Sequence, residues 1–378
     1  MERLTISKKG SELDFSYDIV WTDSFESLPA EIGRAGLRPA RICVVTEDRV
    51  ALLYLDAVKK ALEPTGCEIV DVVLNAGEDH KNLFEVQRVY EYLIRGGFDR
   101  KDLLVALGGG VIGDMTGFAA ATYLRGISFI QVPTTLLAEV DSSVGGKTGV
   151  DFDQFKNMVG AFYQPKLVYM NRAVLKTLPV EQLSSGMAEA VKSALIRDRS
   201  LFEFLESNSA GIMAGSPDCL QTVVRGCCRI KSEVVEQDPT ENGLRAILNF
   251  GHTIGHAVEK LSDFTLLHGE CVAIGMAAAL EISEGRGMIT AKEKDRIRSV
   301  IRAYGLPLSV SDGVTLHRRT NAVLPEMTAE DILRATKSDK KMENGRIRFI
   351  LLDGIGRAVI DRSVTDDEIR SAAASVLA

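Results

Sequence analysis

The first half of the chain alternates short apolar runs with longer segments that carry apolar residues at helical spacing. The apolar runs are Arg41–Thr46, Glu68–Leu74, Leu103–Leu107 and Ser128–Val132. Short runs bounded by turn residues are typical of buried strands. The helical segments are Val50–Leu62, Leu83–Gly96 and Val111–Tyr123, after an opening hairpin and a helix around Phe25–Ala35. Alternating strands and helices predict a parallel sheet covered on both faces, in a Rossmann-like α/β arrangement.

The pattern changes near Lys176–Pro179, and from there to about Asp339 it is almost entirely helical. The predicted helices are Val180–Ile196, Ser200–Asn208, Cys219–Gln237, Asn249–Leu261, Gly269–Gly287 and Ala291–Tyr304, with a further helix start at Thr328. Ile347–Leu352 and Arg357–Ile360 predict a late hairpin. We therefore expect an α/β domain over residues 1–178 and a mostly α-helical domain over residues 179–378.

A glycine-rich turn follows the strand Leu103–Leu107. Gly108, Gly109 and Gly110 lead into a helix, and a strand, a glycine turn and a helix N-terminus together favour phosphate binding. The letters fit G-x-G-x-x-G, but about a hundred residues precede them and the next strand ends without the acid of the usual fingerprint. A tight turn without a ligand is the alternative. The polar residues downstream favour a ligand; they are Arg125, Thr134, Thr135, Asp141, Lys147, Lys156 and Asn157.

Gly145-Gly146-Lys147-Thr148 matches the end of a Walker A motif, but Asp141 stands where that motif requires glycine, so we reject a P-loop enzyme. The 378 residues carry a formal net charge of −7, which argues against a general binder of nucleic acid or anionic membranes. We expect no membrane span and no signal peptide. The six cysteines form no Cys-x-x-Cys motif and mostly lie in apolar runs, which is typical of reduced thiols in a cytoplasmic protein.

Three of the five histidines fall in one short segment. His252 and His256 are spaced i, i+4 on one helix face, which suits two zinc ligands, and His268 follows. Spacing alone favours His252, His256 and His268, with one carboxylate as an alternate. Glu189 and Lys192 lie in an otherwise apolar helix, where a buried acid needs a partner such as a metal. The alternative is a set of core histidines held by hydrogen bonds.

At this point the chain resembles the 3-dehydroquinate synthase family. The resemblance rests on Gly77-Glu78-x-x-Lys81, GGGVIGD, TYLRG, QVPTTLLA, VDSSVGGKTG, KNMVGAFYQP, GMAEAVKSALIRD, LNFGHTIGHAVE, LLHGE and SDKK, in that order. It implies conversion of 3-deoxy-D-arabino-heptulosonate 7-phosphate, an anionic sugar phosphate, to 3-dehydroquinate and phosphate. It also implies NAD, a zinc or cobalt ion, and a homodimer.

The resemblance also implies roles for individual residues. The metal ligands would be Glu189, His252 and His268, while His256 would move to the phosphate end of the substrate. The substrate-binding and catalytic positions would be Asp141, Lys147, Asn157, Lys192, Lys231, Arg245, Asn249, His256 and one of Lys340 and Lys341. Arg125 would reach the site of the neighbouring subunit. The NAD positions would be Glu47, Glu78, Lys81, Gly109, Gly110, Asp114, Thr134, Thr135, Asp141, Lys147, Lys156, Thr177, Leu178 and Gln182.

Two positions depart from the family pattern, which often has Asp at Glu47 and Gly at Phe155. Two other functions compete with the synthase. One is another sugar-phosphate cyclase, and the other is a metal-dependent polyol or alcohol dehydrogenase. A dehydrogenase shares the glycine turn and the metal histidines, but it does not need so many cations for phosphate and carboxylate.

Overall fold

The computed structural model describes residues 1–8, 15–153, 155–263, 265–317, 326–337, 342–343 and 346–378. The chain divides into two compact units. The first comprises Met1–Leu178 with Lys231–Thr240, and the second comprises Pro179–Ile230 with Glu241–Ala378. The break after Leu178 falls where the sequence pattern changes, whereas Lys231–Thr240 belongs to the first unit rather than the second.

Among the residues that the structure describes, nine strands lie in the first unit. They are β1 (Glu2–Lys8), β2 (Phe15–Thr22), β3 (Arg41–Glu47), β4 (Glu68–Leu74), β5 (Leu103–Gly108), β6 (Ser128–Pro133), β7 (Lys147–Phe152), β8 (Phe155–Phe162) and β9 (Leu167–Asn171). Seven of these form one sheet in the order β1-β2-β9-β6-β5-β3-β4. Within the described part of this sheet, β1 pairs antiparallel with β2, and the remaining pairs are parallel. The predicted parallel sheet is confirmed.

The strand β5, which lies between β6 and β3, shows why the apolar runs form strands. All of its residues are buried. Leu104 and Ala106 pack into the core on one face of the sheet, while Leu103 and Leu107 pack into the core on the other face. This alternation is the period of two expected for a strand. Because both faces are covered, the sequence is continuously apolar instead of alternating.

Helices cover both faces of the sheet. They are α1 (Leu28–Arg34), α2 (Asp48–Val50), α3 (Asp56–Leu62), α4 (Leu83–Arg95) and α5 (Gly110–Thr122). Helices α1 and α3 pack on one face of the sheet, and α4 and α5 pack on the other. The segment Val50–Leu62 is not one regular helix, because a π-helical turn at Ala51–Leu55 separates α2 from α3. Asn82 caps α4, since its side chain accepts hydrogen bonds from the amides of Phe84 and Glu85.

The antiparallel hairpin of β7 and β8 was not predicted from the sequence. Its strands are rich in glycine and polar residues, so the alternation that indicates a strand is weak. Gly149 and Gly160 are partners in the ladder, and a Cβ on Gly160 would lie 2.3 Å from the carbonyl oxygen of Thr148. The glycines therefore permit a close backbone approach in a hairpin that carries Lys147 and Asn157.

The second unit is largely helical, as predicted. Its helices are α6 (Val180–Arg197), α7 (Arg199–Met213), α8 (Pro217–Gln237), α9 (His252–Leu261), α10 (His268–Gly285), α11 (Ala291–Ala303), α12 (Val310–His317), α13 (Ala329–Lys337) and α14 (Asp366–Ser375), with the last turns of α8 in the first unit. Two short strands, β10 (Met342–Glu343) and β11 (Arg346–Ile347), pair with each other. The late hairpin consists of β12 (Phe349–Leu352) and β13 (Ala358–Asp361).

Two features of the second unit differ from the predicted boundaries. Helix α9 begins at His252 because Leu244–Asn249 forms a separate 3-10 turn and Gly251 adopts a left-handed φ of 79°. Helices α12 and α14 were not predicted from the sequence. In the part of the chain that the structure describes, every helix is too short or too polar to cross a membrane.

Candidate functional site

Three helices of the second unit bring one carboxylate and two imidazoles together. Glu189 lies on α6, while His252 and His268 begin α9 and α10. Oε1 of Glu189 lies 3.4 Å from Nε2 of His252 and 3.5 Å from Nε2 of His268. One donor atom from each of the three residues lies within 4.8 Å of the other two. A carboxylate with two imidazoles, leaving further positions open, is a donor set typical of catalytic zinc sites.

Glycines allow these helices to pack backbone against backbone. A Cβ on Gly275 would lie 1.8 Å from the carbonyl oxygen of Gly251, just before His252. A Cβ on Gly269, next to His268, would lie 2.0 Å from the carbonyl oxygen of Ser185 on α6. The close contacts of α10 with α9 and α6 therefore set the distances between the three donor residues.

The electrostatics of this cluster favour a cation. Glu189 is fully buried and pairs with Lys192, one helical turn along α6. Burial raises the pKa of Glu189, but Lys192 and His252 outweigh it and hold that pKa well below its usual value. Burial lowers the pKa of His268, but the carboxylates of Glu259 and Glu189 raise it to about 10. Positive charge at the imidazoles is thus stabilised, and a divalent metal would supply it.

His256 occupies a different place from the one that its spacing suggests. Its ring centroid lies 5.1 Å from that of His252 and 5.9 Å from that of His268. The donor sets among the described residues are Glu189–His252–His268 and His256–Glu259–His268. The set chosen from spacing alone, with both His252 and His256, is therefore not one of them. Glu189 takes the place of His256 beside the other two histidines.

Two predicted substrate residues lie on the turn that precedes α9. Arg245 is only 1% exposed. Nδ2 of Asn249 donates to the carbonyl oxygen of Ala246 at 3.2 Å and also to the carboxylate of Glu241.

Gln182 is half-buried in the first turn of α6. Lys340 and Lys341 lie outside the described residues.

In the first unit, the glycine turn packs against the segment that follows β6. Gly109 is the N-cap of α5. A Cβ on Gly109 would lie 3.1 Å from Thr135, and one on Gly110 would lie 2.9 Å from Oγ of Ser142. The amide of Thr134 donates to the carbonyl oxygen of Gly108 at 3.0 Å. The predicted NAD residues of these two segments therefore lie side by side at a helix N-terminus, which favours an anionic group.

A second polar cluster of the first unit centres on Lys81. Nζ of this buried lysine lies 2.6 Å from Oδ2 of Asp114 and 2.6 Å from Oδ1 of Asn157. Burial lowers the pKa of Lys81, but the carboxylates of Asp114, Glu78 and Asp151 outweigh it and raise that pKa. Asn157 has a left-handed φ of 51°, and its amide donates to Oδ1 of Asp151 at 2.7 Å. Lys81 thus joins a predicted NAD residue to a predicted substrate residue.

Other predicted residues of the first unit also have partners. Nζ of Lys231 donates to Oδ1 of Asp141 at 2.6 Å, and Nζ of Lys156 lies 3.0 Å from Oε1 of Glu78. The carboxylate of Glu47 caps α2, because it accepts from two amides of the first turn at 2.8 and 3.0 Å.

The remaining predicted residues of this unit lie nearer the surface. Thr177 bonds to the hydroxyl of Tyr54 at 2.5 Å, and Leu178 is half-buried beside it. Lys147 and Arg125 are exposed.

Two residues of these clusters were missed in the sequence. Glu259 lies beside His268 and Asp151 beside Asn157. Glu259 had a signal, because it lies i+3 from His256 and i+7 from His252 on one face of α9. Asp151 had none, because its contact depends on the irregular register of β7 and β8 between Val150 and Phe152.

The fold places the chain in a structural class that contains both synthases and dehydrogenases. ValA, a 2-epi-5-epi-valiolone synthase from Streptomyces hygroscopicus subsp. jinggangensis 5008 solved with NAD+ and Zn2+ bound, has a TM-score of 0.86 at 30% identity, covering 98% of this chain and 99% of that chain. A 2-deoxy-scyllo-inosose synthase complexed with carbaglucose-6-phosphate, NAD+ and Co2+ has a TM-score of 0.86 at 25% identity, covering 100% of both chains. NADH-dependent butanol dehydrogenase A from Thermotoga maritima shares the fold, with a TM-score of 0.70 at 15% identity over 99% of this chain and 100% of that chain.

Comparison with known sequences identifies one family within this structural class. The family models for the N-terminal and C-terminal regions of 3-dehydroquinate synthase match residues 71–185 and 186–342. The 3-dehydroquinate synthase of Pelobacter propionicus is 44% identical over 91% of this chain and 92% of its own length. That of Picosynechococcus sp. is 42% identical over 96% of both chains. The chain belongs to the 3-dehydroquinate synthase family.

Proposed function

We propose that the chain catalyses the reaction for which its family is named. It is a carbon–oxygen lyase that converts 3-deoxy-D-arabino-heptulosonate 7-phosphate to 3-dehydroquinate and phosphate, the second step of the shikimate pathway. The observation that carries the proposal is the set of Glu189, His252 and His268, of which the first two are buried, in a chain that is 44% identical to a 3-dehydroquinate synthase. The overall change combines transient oxidation, loss of phosphate, reduction and intramolecular aldol closure.

We assign a divalent metal, zinc or cobalt, to Glu189, His252 and His268. The fit rests on the donor types and on the two Nε2 atoms that face one carboxylate oxygen. A metal at these residues supplies Lewis acidity that lowers the pKa of a substrate hydroxyl, and NAD supplies a reversible hydride acceptor. Lys192 lies beside Glu189 and contributes a buried positive charge that suits an anionic substrate.

We assign NAD binding to the first unit. The helix start at Gly109 and Gly110, packed against Thr134 and Thr135, supports a site for the pyrophosphate. The other residues of this unit assigned to the cofactor are Glu47, Glu78, Lys81, Asp114, Asp141, Lys147, Lys156, Thr177 and Leu178. We also assign to the cofactor Gln182, which belongs to the second unit. In the Lys81–Asp114 pair the lysine is buried and the carboxylate is half-buried, so we expect the pair to hold the local backbone in place as well as to face the cofactor.

We assign substrate binding to the cationic and polar groups of the family motifs. They are Asp141, Lys147, Asn157, Lys192, Lys231, Arg245, Asn249, His256 and one of Lys340 and Lys341. A substrate with a carboxylate and a phosphate offsets the charge that these residues concentrate. The Lys231–Asp141 pair and the hydrogen bonds to Asn157 support this assignment, because they orient the groups before the ligand arrives.

We propose a homodimer in which Arg125 acts on the partner's site. Arg125 is exposed, and both it and Leu124 have left-handed φ angles, of 65° and 50°. Such a conformation is unfavourable for residues with side chains, so a strained, exposed arginine suggests a function beyond its own subunit. We also propose a cytoplasmic location, which the thiol state of the six cysteines supports.

A turnover assay tests the function. The purified protein is incubated with the heptulosonate phosphate, NAD+ and Zn2+, while phosphate release and NADH absorbance are followed together. We expect one phosphate per substrate consumed and NADH near baseline, because reduction returns the cofactor to NAD+. Accumulation of one NADH per substrate would instead establish a polyol dehydrogenase and refute the synthase.

A further inference from the structure

The imidazole of His268 lies between two carboxylates. Its Nε2 lies 3.5 Å from Oε1 of Glu189. Its Nδ1, on the other side of the ring, lies 3.3 Å from Oε1 and 3.4 Å from Oε2 of Glu259. Glu259 is only 2% exposed, so water does not screen it from the ring. Nothing in the assignment above uses this second carboxylate.

The two carboxylates compete for the ring proton of His268. A neutral imidazole carries one proton, and the nitrogen without it offers a lone pair to a metal. A proton on Nε2 would point at Glu189 and would occupy the atom that faces the proposed metal. A proton on Nδ1 points at Glu259 and leaves Nε2 available. The identity of the group beside Nδ1 therefore decides whether His268 can serve as a ligand.

His252 meets the same requirement in a different way. Its Nδ1 lies 3.0 Å from the carbonyl oxygen of Phe250, which can only accept a hydrogen bond. The main chain thus sets the tautomer of His252, and substitution of a side chain does not remove that carbonyl. For His268 the corresponding acceptor is a side chain, so its effect can be tested by mutation.

Glu259 is well held for this task. It lies on α9, seven residues after His252. The helix that carries one proposed ligand therefore also orients the ring of the second, His268. Its backbone carbonyl accepts a hydrogen bond from Oγ of Ser262 at 2.9 Å. The carboxylate also lies within 4.8 Å of donor atoms of both His256 and His268.

We propose that Glu259 is a positioning residue that keeps the ring proton of His268 on Nδ1 and so presents Nε2 to the metal. The proposal rests on the metal site assigned above. It requires no contact between Glu259 and the metal. Carboxylates behind metal-binding histidines typically contribute 10- to 100-fold in metal affinity.

The test measures metal binding instead of turnover. Glu259→Ala and Glu259→Gln are compared with wild type by chelator competition for Zn2+ and by the visible absorption spectrum of the Co2+ form. Glu206→Gln is the matched control, because Glu206 pairs with Arg296 elsewhere in the second unit. His252→Ala, which removes a ligand, defines the affinity of a broken site.

We expect Glu259→Ala to bind Zn2+ about 10- to 100-fold more weakly and to change the Co2+ spectrum. Glu259→Gln keeps an acceptor oxygen, so it should recover part of the affinity and most of the spectrum, whereas Glu206→Gln should match wild type. If wild type binds metal and Glu259→Ala binds within about twofold of it, the positioning role is wrong while the metal site stands. If Glu259→Ala does not fold, a Glu259→Gln variant with the affinity of His252→Ala would overturn the role of the acceptor oxygen. If wild type itself binds no metal, the metal site and the positioning role are both overturned.

Discussion

The close packing of α9 against α10 leads to a specific prediction for Gly275→Ala. The added Cβ would lie 1.8 Å from the carbonyl oxygen of Gly251 and 2.6 Å from the amide nitrogen of Gly255. Carbon–oxygen contacts in proteins are normally no shorter than about 3.3 Å. The two helices must therefore separate by about 1.5 Å, or the backbone at the start of α9 must distort.

This separation affects both stability and the proposed metal site. Overpacking of a well-packed interface costs about 1–3 kcal/mol. His252 begins α9 and His268 begins α10, so a shift of one helix moves one donor relative to the other. Metal–ligand distances tolerate only about 0.2 Å. We expect the free energy of unfolding of the metal-free protein to fall by about 2 kcal/mol and Zn2+ affinity to fall at least about tenfold.

Gly285→Ala is the matched control. Gly285 ends the same helix, and a Cβ there would meet no heavy atom within 4 Å. Alanine favours helix over glycine by up to about 1 kcal/mol, so this variant should be neutral or slightly more stable, with unchanged Zn2+ affinity. Urea denaturation with chelator present and Zn2+ competition measure the two effects separately. If Gly275→Ala matches Gly285→Ala in both measurements, glycine packing does not set the donor geometry.

Two further predictions address the first unit. Burial raises the pKa of Glu139 from 4.5 to about 8, so the unfolded chain loses this proton at lower pH than the folded one and stability falls as pH rises through that window. We expect the free energy of unfolding of Glu139→Gln, relative to that of wild type, to rise by up to ~3 kcal/mol between about pH 5.5 and about pH 8.5 in urea denaturation. An equal difference at both pH values would show that Glu139 is not held protonated. For the proposed dimer, mixing inactive Arg125→Ala with inactive Lys147→Ala subunits should restore activity, since each mixed dimer regains one intact site. An absence of recovery despite demonstrated subunit exchange would exclude action of Arg125 across the dimer.

Elements with a local sequence signal could be predicted before the structure was known. A continuous apolar run between turn residues is sufficient to predict β5, because a strand covered on both faces has no polar side. The glycines after β5 mark the start of α5 for a similar local reason. The hairpin of β7 and β8 lacked such a signal, because its glycines are explained only by the approach of the facing strand.

The proposed metal site depends on contacts between helices, which spacing along the sequence does not predict. Spacing within one helix places His252 and His256 on the same face, and that much is correct for α9. Spacing cannot show which residue of another helix faces them. Glu189 reaches His252 and His268 because α10 packs through glycine against α9 and α6. Its place in an apolar helix indicated that it needs a partner, and the family resemblance, not the spacing, implied that it is a metal ligand. Contacts between helices depend on the packing of segments that are distant in the sequence. Which donor atoms meet, and which carboxylate lies behind them, therefore follows from that packing and not from local spacing.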